Sequence, residues 1–365
     1  MNQKRIGILT SGGDCSGLNS IIRSAFIRAN DLGYEFIGFK RGIYGIISRP
    51  LDYVVLDSKT CDEFMLTRSG SILYSNTRML KQQNGEKTPI EVFSNLLIEG
   101  YKSLDLDGLI YVGGDGSMSM MNRLLNDHNN EINLIAIPKT IDNDVSHTDF
   151  SVGFHTSVEV VSNAIDDIRS TAMSHERVMI VEVMGRDAGY IAMYAGVASG
   201  ADIILVPEFK YDMDRIISKV KECYESSKNH CIIVVSEAVE APDFKHENIV
   251  IDAEVQFSKK HYMGIGEHLC SILKEKGFDT RSTKLGHIQR GGKTSIMDRV
   301  IGSAFGFEAV NLIDQGKTGF MMSYKHGKIE STPLQEVSLN VNQKLSCCDI
   351  CVQIAKNTGI YIGDI

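Results

Sequence analysis

Two nearly identical phrases limit what this chain can fold into more than any other feature. Ser11-Gly12-Gly13-Asp14 follows the apolar run Ile6–Thr10, and Val112-Gly113-Gly114-Asp115-Gly116-Ser117 closes the run Leu109–Val112. Each reads as a strand that turns directly into a helix, Leu18–Asn30 after the first and a methionine-rich segment through Leu125 after the second. Consecutive glycines let backbone amides approach a ligand closely, and a helix N-terminus adds partial positive charge, so each turn has the makings of a phosphate cradle. One such turn is as readily a tight connection without a ligand; two at strand ends point to a site. Neither is a dinucleotide fingerprint, because Ser119 stands where the third glycine belongs after Gly114 and Gly116. Gly292-Lys293-Thr294 imitates a P-loop ending, but the first glycine of that motif is replaced by His287.

Short β-branched runs alternate with helical patterns along the rest of the chain, the signature of an α/β fold whose parallel sheet is covered on both faces. Leu134–Ile137, Val178–Val183, Ile203–Val206 and Cys231–Val235 read as further strands, and Val161, Ile165, Ile168 and Ala172 fall on one helical face. Met118, Met120 and Met121 are assigned to core packing. At 365 residues with 43% apolar content, the chain is long enough for two lobes and a cleft between them. The polar stretch from Glu240 to Lys260, extending to about 262, reads as a surface insertion.

No apolar run reaches the roughly 20 residues of a membrane span, and the N-terminal stretch does not read as a signal peptide. The net charge of −8 argues against a nucleic-acid or anionic-membrane surface, so cations for an anionic ligand must be gathered locally. Eight scattered cysteines suit reduced thiols in the cytoplasm. Cys348 and Cys351 have the gap of a zinc knuckle but lack a second pair, so a packed C-terminal segment is the better reading.

Acidic and basic groups of the needed kind are present. Pro138-Lys139-Thr140-Ile141-Asp142-Asn143-Asp144 follows a strand and places two carboxylates two residues apart, which in an extended segment puts them on one side. One carboxylate can take a hydroxyl proton while its neighbour and Asp115 hold magnesium. The plain alternative is a solvated acidic turn. Arg177, Met184-Gly185-Arg186, Arg281 and His287-Ile288-Gln289-Arg290 supply cations, which singly read as surface charge or a structural histidine and together as a phosphate pocket.

With these phrases in hand, the chain resembles the phosphofructokinase family, through Leu9–Asn19, Val112–Ser117, Pro138–Asp144, His175–Arg177, Val181–Arg186, Ser236–Glu237 and Leu285–Gly292 in that order. The resemblance implies two similar three-layer lobes with mainly parallel sheets, residues 1–152 plus 290–341 forming the donor lobe and 153–289 plus 342–365 the sugar-phosphate lobe. It implies a glycolytic kinase that transfers the γ-phosphoryl group of ATP to the 1-hydroxyl of fructose 6-phosphate. Gly12, Arg78, Lys139 and Gly114 through Gly116 to Ser117 would hold the donor, with Asp115 on Mg2+. Asp142 would be the general base, Thr140 and Asp144 its supports, and Arg186 the cation for the transferring group. Met184, Gly185, Glu237, His287 and Arg290 would hold the sugar phosphate. Arg177 and Arg281 would reach in from a neighbouring subunit, which implies a homotetramer.

Two positions depart from a uniform pattern. Pyrophosphate-using members resemble one another in carrying aspartate at the position of Gly116, so this glycine favours ATP; Lys139 is similar to those members and leaves pyrophosphate as the alternative. Arg23 and Arg169 match the basic cluster with which bacterial relatives bind allosteric effectors, but the lysine-rich stretch reads Ser227-Lys228-Asn229-His230, so effector response is left open. Lipid and NAD kinases share the Gly-Gly-Asp-Gly turn but lack the Asp142 and His287 segments. A non-catalytic sugar-phosphate sensor is the rival from another class, opposed by intact Asp115, Asp142 and Arg186.

Overall fold

The computed structural model describes residues 3–75, 90–128, 131–226, 228–241, 244, 247–249, 259–261, 264–339 and 342–364. In chain order the regular elements begin with β1 (Arg5–Thr10), α1 (Leu18–Asp31), β2 (Glu35–Phe39), α2 (Ile43–Ile47), β3 (Tyr53–Val55), α3 (Ile90–Ser103), β4 (Gly108–Gly113), α4 (Asp115–Asp127) and β5 (Leu134–Pro138). They continue with α5 (Phe154–His175), β6 (Val178–Val183), α6 (Tyr190–Ala198), β7 (Ile203–Leu205), α7 (Met213–Glu225), β8 (Cys231–Ser236), β9 (Glu247–Ile249) and β10 (Lys259–His261). The last are α8 (Ile265–Glu275), β11 (Thr280–Lys284), α9 (Ile296–Asp314), β12 (Phe320–Lys325), β13 (Lys328–Pro333), α10 (Leu334–Leu339) and α11 (Ile350–Asn357).

The chain divides into two compact units, each built from separated segments. Unit 1 comprises Met1–Thr140, Asp144–His155 and Arg290–Asn342; unit 2 comprises Ile141–Asn143, Thr156–Gln289 and Gln343–Ile365. Unit 1 carries a seven-stranded sheet in the order β13-β12-β5-β4-β1-β2-β3. Its strands run parallel except at the edges, where β13 and β3 are antiparallel to their neighbours. Unit 2 carries a four-stranded parallel sheet in the order β11-β6-β8-β7. Every residue of β4, β5, β6 and β8 is buried, because helices on both faces remove these strands from water and require continuous apolar runs.

Met118 and Met121 are fully buried in the unit 1 core and Met120 packs against it. Val161, Ile165 and Ala172 form the buried stripe of α5. Within the stretch from Glu240 to Lys260, Glu247–Ile249 pairs antiparallel with Lys259–His261. Among the described residues, no helix is long and apolar enough to cross a membrane.

Strand register decides where ligands can be met. In unit 1, Thr10 pairs with Val112 and Gly113 with Pro138, so β1, β4 and β5 end side by side. Their following turns, which start at Ser11, Gly114 and Lys139, leave the same edge of the sheet. β2 lies on one side of β1 and β4 on the other, so the first two turns flank the point where strand order reverses. Open parallel sheets bind ligands outside their carboxyl ends at such a point. In unit 2, Val183 pairs with Ser236 and Lys284 with Glu182, so β6, β8 and β11 also end together.

Candidate active site

The two glycine phrases of unit 1 differ in form. Gly114 passes β4 straight into α4, and its carbonyl accepts from Ser117 N at 2.9 Å and Met118 N at 3.2 Å. Asp115, Gly116 and Ser117 are therefore the first turn of a helix, whose opening amides lack intrahelical acceptors and attract anions. The first phrase does not run directly into its helix: residues 11–17 form a loop before α1 begins at Leu18. Gly12 takes a left-handed φ of 84°, which glycine adopts without the clash a Cβ would bring.

Lys139 and Arg290 complete this face. Lys139 is 3% exposed, and its Nζ donates to the Gly13 carbonyl at 2.7 Å. Arg290 Nη1 donates to the Asp14 carbonyl at 3.1 Å, and a Cβ added at Gly13 would collide with its guanidinium. Arg290 thus stands on the first glycine turn of unit 1. Thr140 is held by its backbone, donating to Val152 O at 3.2 Å and accepting from Ser151 Oγ at 2.8 Å. Ser75 Oγ donates to the Gly12 carbonyl. Arg78 lies outside the described residues.

The segment after β5 is not extended. Asn143 has a φ of 53°, a left-handed conformation that breaks the two-residue alternation of a strand. Asp142 and Asp144 consequently do not share a side by strand geometry. They fall in different compact units, Asp142 in unit 2 and Asp144 in unit 1. Both are buried, at 9% and 3% exposure.

In unit 2, Asp142 and Arg186 both act on Glu237. The Arg186 amide donates to Glu237 Oε1 at 3.3 Å. Arg186 itself has a φ of 53°, and Gly185 before it tolerates no Cβ because the Ala188 carbonyl occupies that space. Strained backbone of this kind persists only where its surroundings hold it and is concentrated at functional sites. Burial, then the charge of Asp142, pushes the Glu237 carboxyl up to about 7, opposed by the Arg186 amide and the Lys284 ammonium. Lys284 itself pairs with the buried Glu182 at 2.7 Å.

His287 is exposed on the 3₁₀ turn Gly286–Arg290. Gln289, 1% exposed, fixes that turn to the end of β6: its Oε1 accepts from Met184 N at 3.1 Å and its Nε2 donates to Gly286 O at 3.0 Å. Sequence reading gave Gln289 no role, because a lone glutamine carries no spacing signal. Asn342 was missed for the same reason. With its amide nitrogen turned to the carboxylate, as its surroundings require, Asn342 donates to the two Asp115 oxygens at 3.1 and 2.7 Å.

Arg177 and Arg281 are not brought to this group. Both pair with Asp279, Arg177 Nε at 2.7 Å and Arg281 Nη1 at 2.5 Å, and the two guanidiniums hold the Asp279 carboxyl below its ordinary value. They occupy the beginning of β6 and β11, whereas Met184 and Glu237 follow the ends of β6 and β8. Arg23 Nε donates to Asp62 O at 3.0 Å, and Arg169 Nη2 to Gly200 O at 3.2 Å.

A family model described as Phosphofructokinase matches residues 5–313. The chain belongs to the phosphofructokinase family. A relative from Nostoc sp., named ATP-dependent 6-phosphofructokinase 1, is 42% identical over 365 residues and covers 99% of both chains. A relative from Dictyoglomus thermophilum, named pyrophosphate–fructose 6-phosphate 1-phosphotransferase, is 37% identical, covering 90% of this chain and 92% of that one. The solved structure of Pichia pastoris phosphofructokinase in the T-state superposes with a TM-score of 0.77 at 25% identity over 93% of this chain. This chain spans 36% of the length of that yeast protein.

The phosphofructokinase fold therefore accounts for the two α/β units with mainly parallel sheets. Both donor types occur in the names of the relatives, so donor choice turns on this chain's own residues.

Proposed function

We propose that this chain is an ATP-dependent 6-phosphofructokinase of the cytoplasm, converting fructose 6-phosphate and ATP to fructose 1,6-bisphosphate and ADP. The observation that carries the reading is the buried Asp142, grouped in unit 2 with Glu237 and Arg186. A buried carboxylate close enough to act on a second carboxyl that burial pushes up to about 7, itself bound by the Arg186 amide, is equipment for moving a hydroxyl proton during phosphoryl transfer.

Asp142 takes the proton from the sugar's 1-hydroxyl, with Thr140 and Asp144 supporting the loop that carries it. Arg186 neutralises charge on the transferring phosphoryl group, a role that needs a fixed direction and is served by its strained turn. Met184, Gly185, Glu237 and His287 bind the sugar phosphate. Gln289 orients the His287 turn through its two hydrogen bonds. In unit 1, Gly12, the first turn of α4 and Lys139 receive the donor phosphates, and Arg78 is assigned to the same task on the family resemblance alone. Arg290 is assigned to the sugar phosphate on the same basis and is kept on the glycine turn by Asp14.

The donor set fits magnesium: Asp115 offers a hard carboxylate at the donor turn, and Mg2+ commonly takes one or two carboxylates with the remaining positions on phosphate and water. An ion held there would supply positive charge against the donor phosphates. Asn342 holds the Asp115 carboxylate in place for it.

A second reading, pyrophosphate as donor, rests on Lys139, whose buried ammonium lies at the first glycine turn. Gly116 favours ATP because it leaves space and adds no charge in the first turn of α4. A coupled assay with fructose 6-phosphate and Mg2+, offering each donor in turn, tests the proposal. Turnover with ATP is expected. Turnover with pyrophosphate alone selects the second reading, and sugar-phosphate binding without turnover on any donor shows a non-catalytic sensor.

A further inference from the structure

Unit 2 contains a second cluster of reactive groups, none of them assigned to phosphoryl transfer. One ligand atom each from Asp202, Cys223 and Cys231 lie within 4.8 Å of one another. We propose that these three side chains form a binding site for a soft or borderline divalent cation of the zinc class.

Three different elements deliver the ligands. Asp202 immediately precedes β7, Cys223 lies in α7, and Cys231 opens β8. This is the starting end of the unit 2 sheet, and Glu237 follows the other end of β8, a strand of six residues spanning about 20 Å. The Asp202 backbone is fixed on both sides, donating to Ile232 O at 2.9 Å and accepting from Tyr361 N at 3.0 Å. Its carboxylate is oriented as well: Oδ2 accepts from Ile232 N at 2.9 Å, and Oδ1 pairs with Lys228 Nζ at 2.5 Å. Ligand groups held by outer partners in this way are a recurrent property of metal centres.

The ordinary reading of Cys223 and Cys231 is two thiols packed in a core, and both belong to the apolar cluster of unit 2. A carboxylate only 12% exposed does not belong to that reading. It sets an oxygen donor among two sulfurs, a mixed set that suits a borderline divalent ion, while Lys228 on Oδ1 supplies one compensating charge.

Binding replaces the two S–H protons, which pass to solvent, with two metal–sulfur bonds, and adds one metal–carboxylate bond. Two thiolates, one carboxylate, a divalent ion and the Lys228 ammonium together are electroneutral. Three protein ligands leave a fourth tetrahedral position for water, and two sulfurs select zinc-class ions over magnesium. Because protons are released, affinity rises with pH.

The test uses the full chain with Cys347→Ser and Cys348→Ser, which removes the exposed vicinal pair, reduced and freed of metal. The probe is Co2+. One equivalent is expected to bring a thiolate-to-cobalt charge-transfer band in the near ultraviolet and intense visible absorption, both displaced by Zn2+. Cys231→Ser should weaken binding and the sulfur band together, and Asp202→Asn should weaken binding by about tenfold or more while keeping the sulfur band. If Cys231→Ser does not fold, the thermal midpoint decides: stoichiometric Zn2+ should raise it in the parent and much less in Asp202→Asn. Absence of the charge-transfer band with Co2+ in excess overturns the site. So does a band or midpoint shift unchanged by these substitutions, or a Cys223–Cys231 disulfide whose reduction restores no cobalt binding.

Discussion

Arg177 and Met184 bracket β6, one immediately before its first residue and one immediately after its last. Six residues of strand set them about 20 Å apart, so Arg177 cannot serve a substrate held at Met184 in its own unit. Arg281, joined to Arg177 through Asp279, is in the same position.

If these arginines complete a neighbouring subunit's site, two inactive variants should rescue each other. Asp142→Asn and Arg281→Ala chains, each weakly active alone, are expected to regain activity when assembled together. Random pairing at equal amounts restores both groups in roughly a quarter of sites. Activity of the mixture equal to the average of the two preparations removes Arg281 from the shared-site role.

Asp142→Asn keeps the shape of the side chain and removes its capacity to accept a proton. Turnover should fall by about 10²–10⁴-fold, the usual contribution of a positioned general base. Fructose 6-phosphate affinity, measured by calorimetry, should change little. Near-normal turnover assigns the proton transfer to another group.

Glu237 makes stability depend on pH in a defined direction. Its carboxyl stands at about 7 in the folded protein against an ordinary 4.5, so the folded state holds the proton more tightly than the unfolded chain. The resulting stability is fully present below the ordinary glutamate value and is lost as pH rises through about 7. The loss from this one group is about 3 kcal/mol at most. Urea unfolding of the native protein and Glu237→Gln between about pH 5 and 8 should show a flatter slope in the variant. Parallel slopes assign the dependence elsewhere.

Gly116→Asp puts a carboxylate in the first turn of α4. Like charges brought together cost several kcal/mol, and about 1.4 kcal/mol is tenfold, so ATP use should fall by about tenfold or more. Pyrophosphate use, if present, should fall far less. An unchanged donor ratio in the coupled assay rejects this account of Gly116.

Much of the fold was legible because strands covered on both faces must be apolar throughout, as Val178–Val183 and Cys231–Ser236 are. The edge strands β11 and β13 gave no such signal. β11 reads Thr-Arg-Ser-Thr-Lys and β13 reads Lys-Ile-Glu-Ser-Thr-Pro, because one side of each lacks a strand neighbour and tolerates polar residues. The glycine phrases marked the turns after β1 and β4, and at Gly12 and Gly13 the left-handed φ and the Arg290 guanidinium leave little room for another residue. The left-handed Asn143 was not legible: the two-residue spacing of Asp142 and Asp144 says nothing about the backbone between them. Gln289 and Asn342 act on partners far along the chain, and only the folded contacts reveal them.

The discontinuous build of unit 1 has a consequence for how the protein is made. β12 covers the flank of β5, yet it lies beyond the whole central stretch Thr156–Gln289. A nascent chain leaving the ribosome therefore carries β5 with one side of its hydrogen-bonding ladder open until residues 320–325 emerge. Premature termination before that point leaves a buried-type strand as an adhesive rim, so interrupted translation products should aggregate rather than accumulate as a folded half.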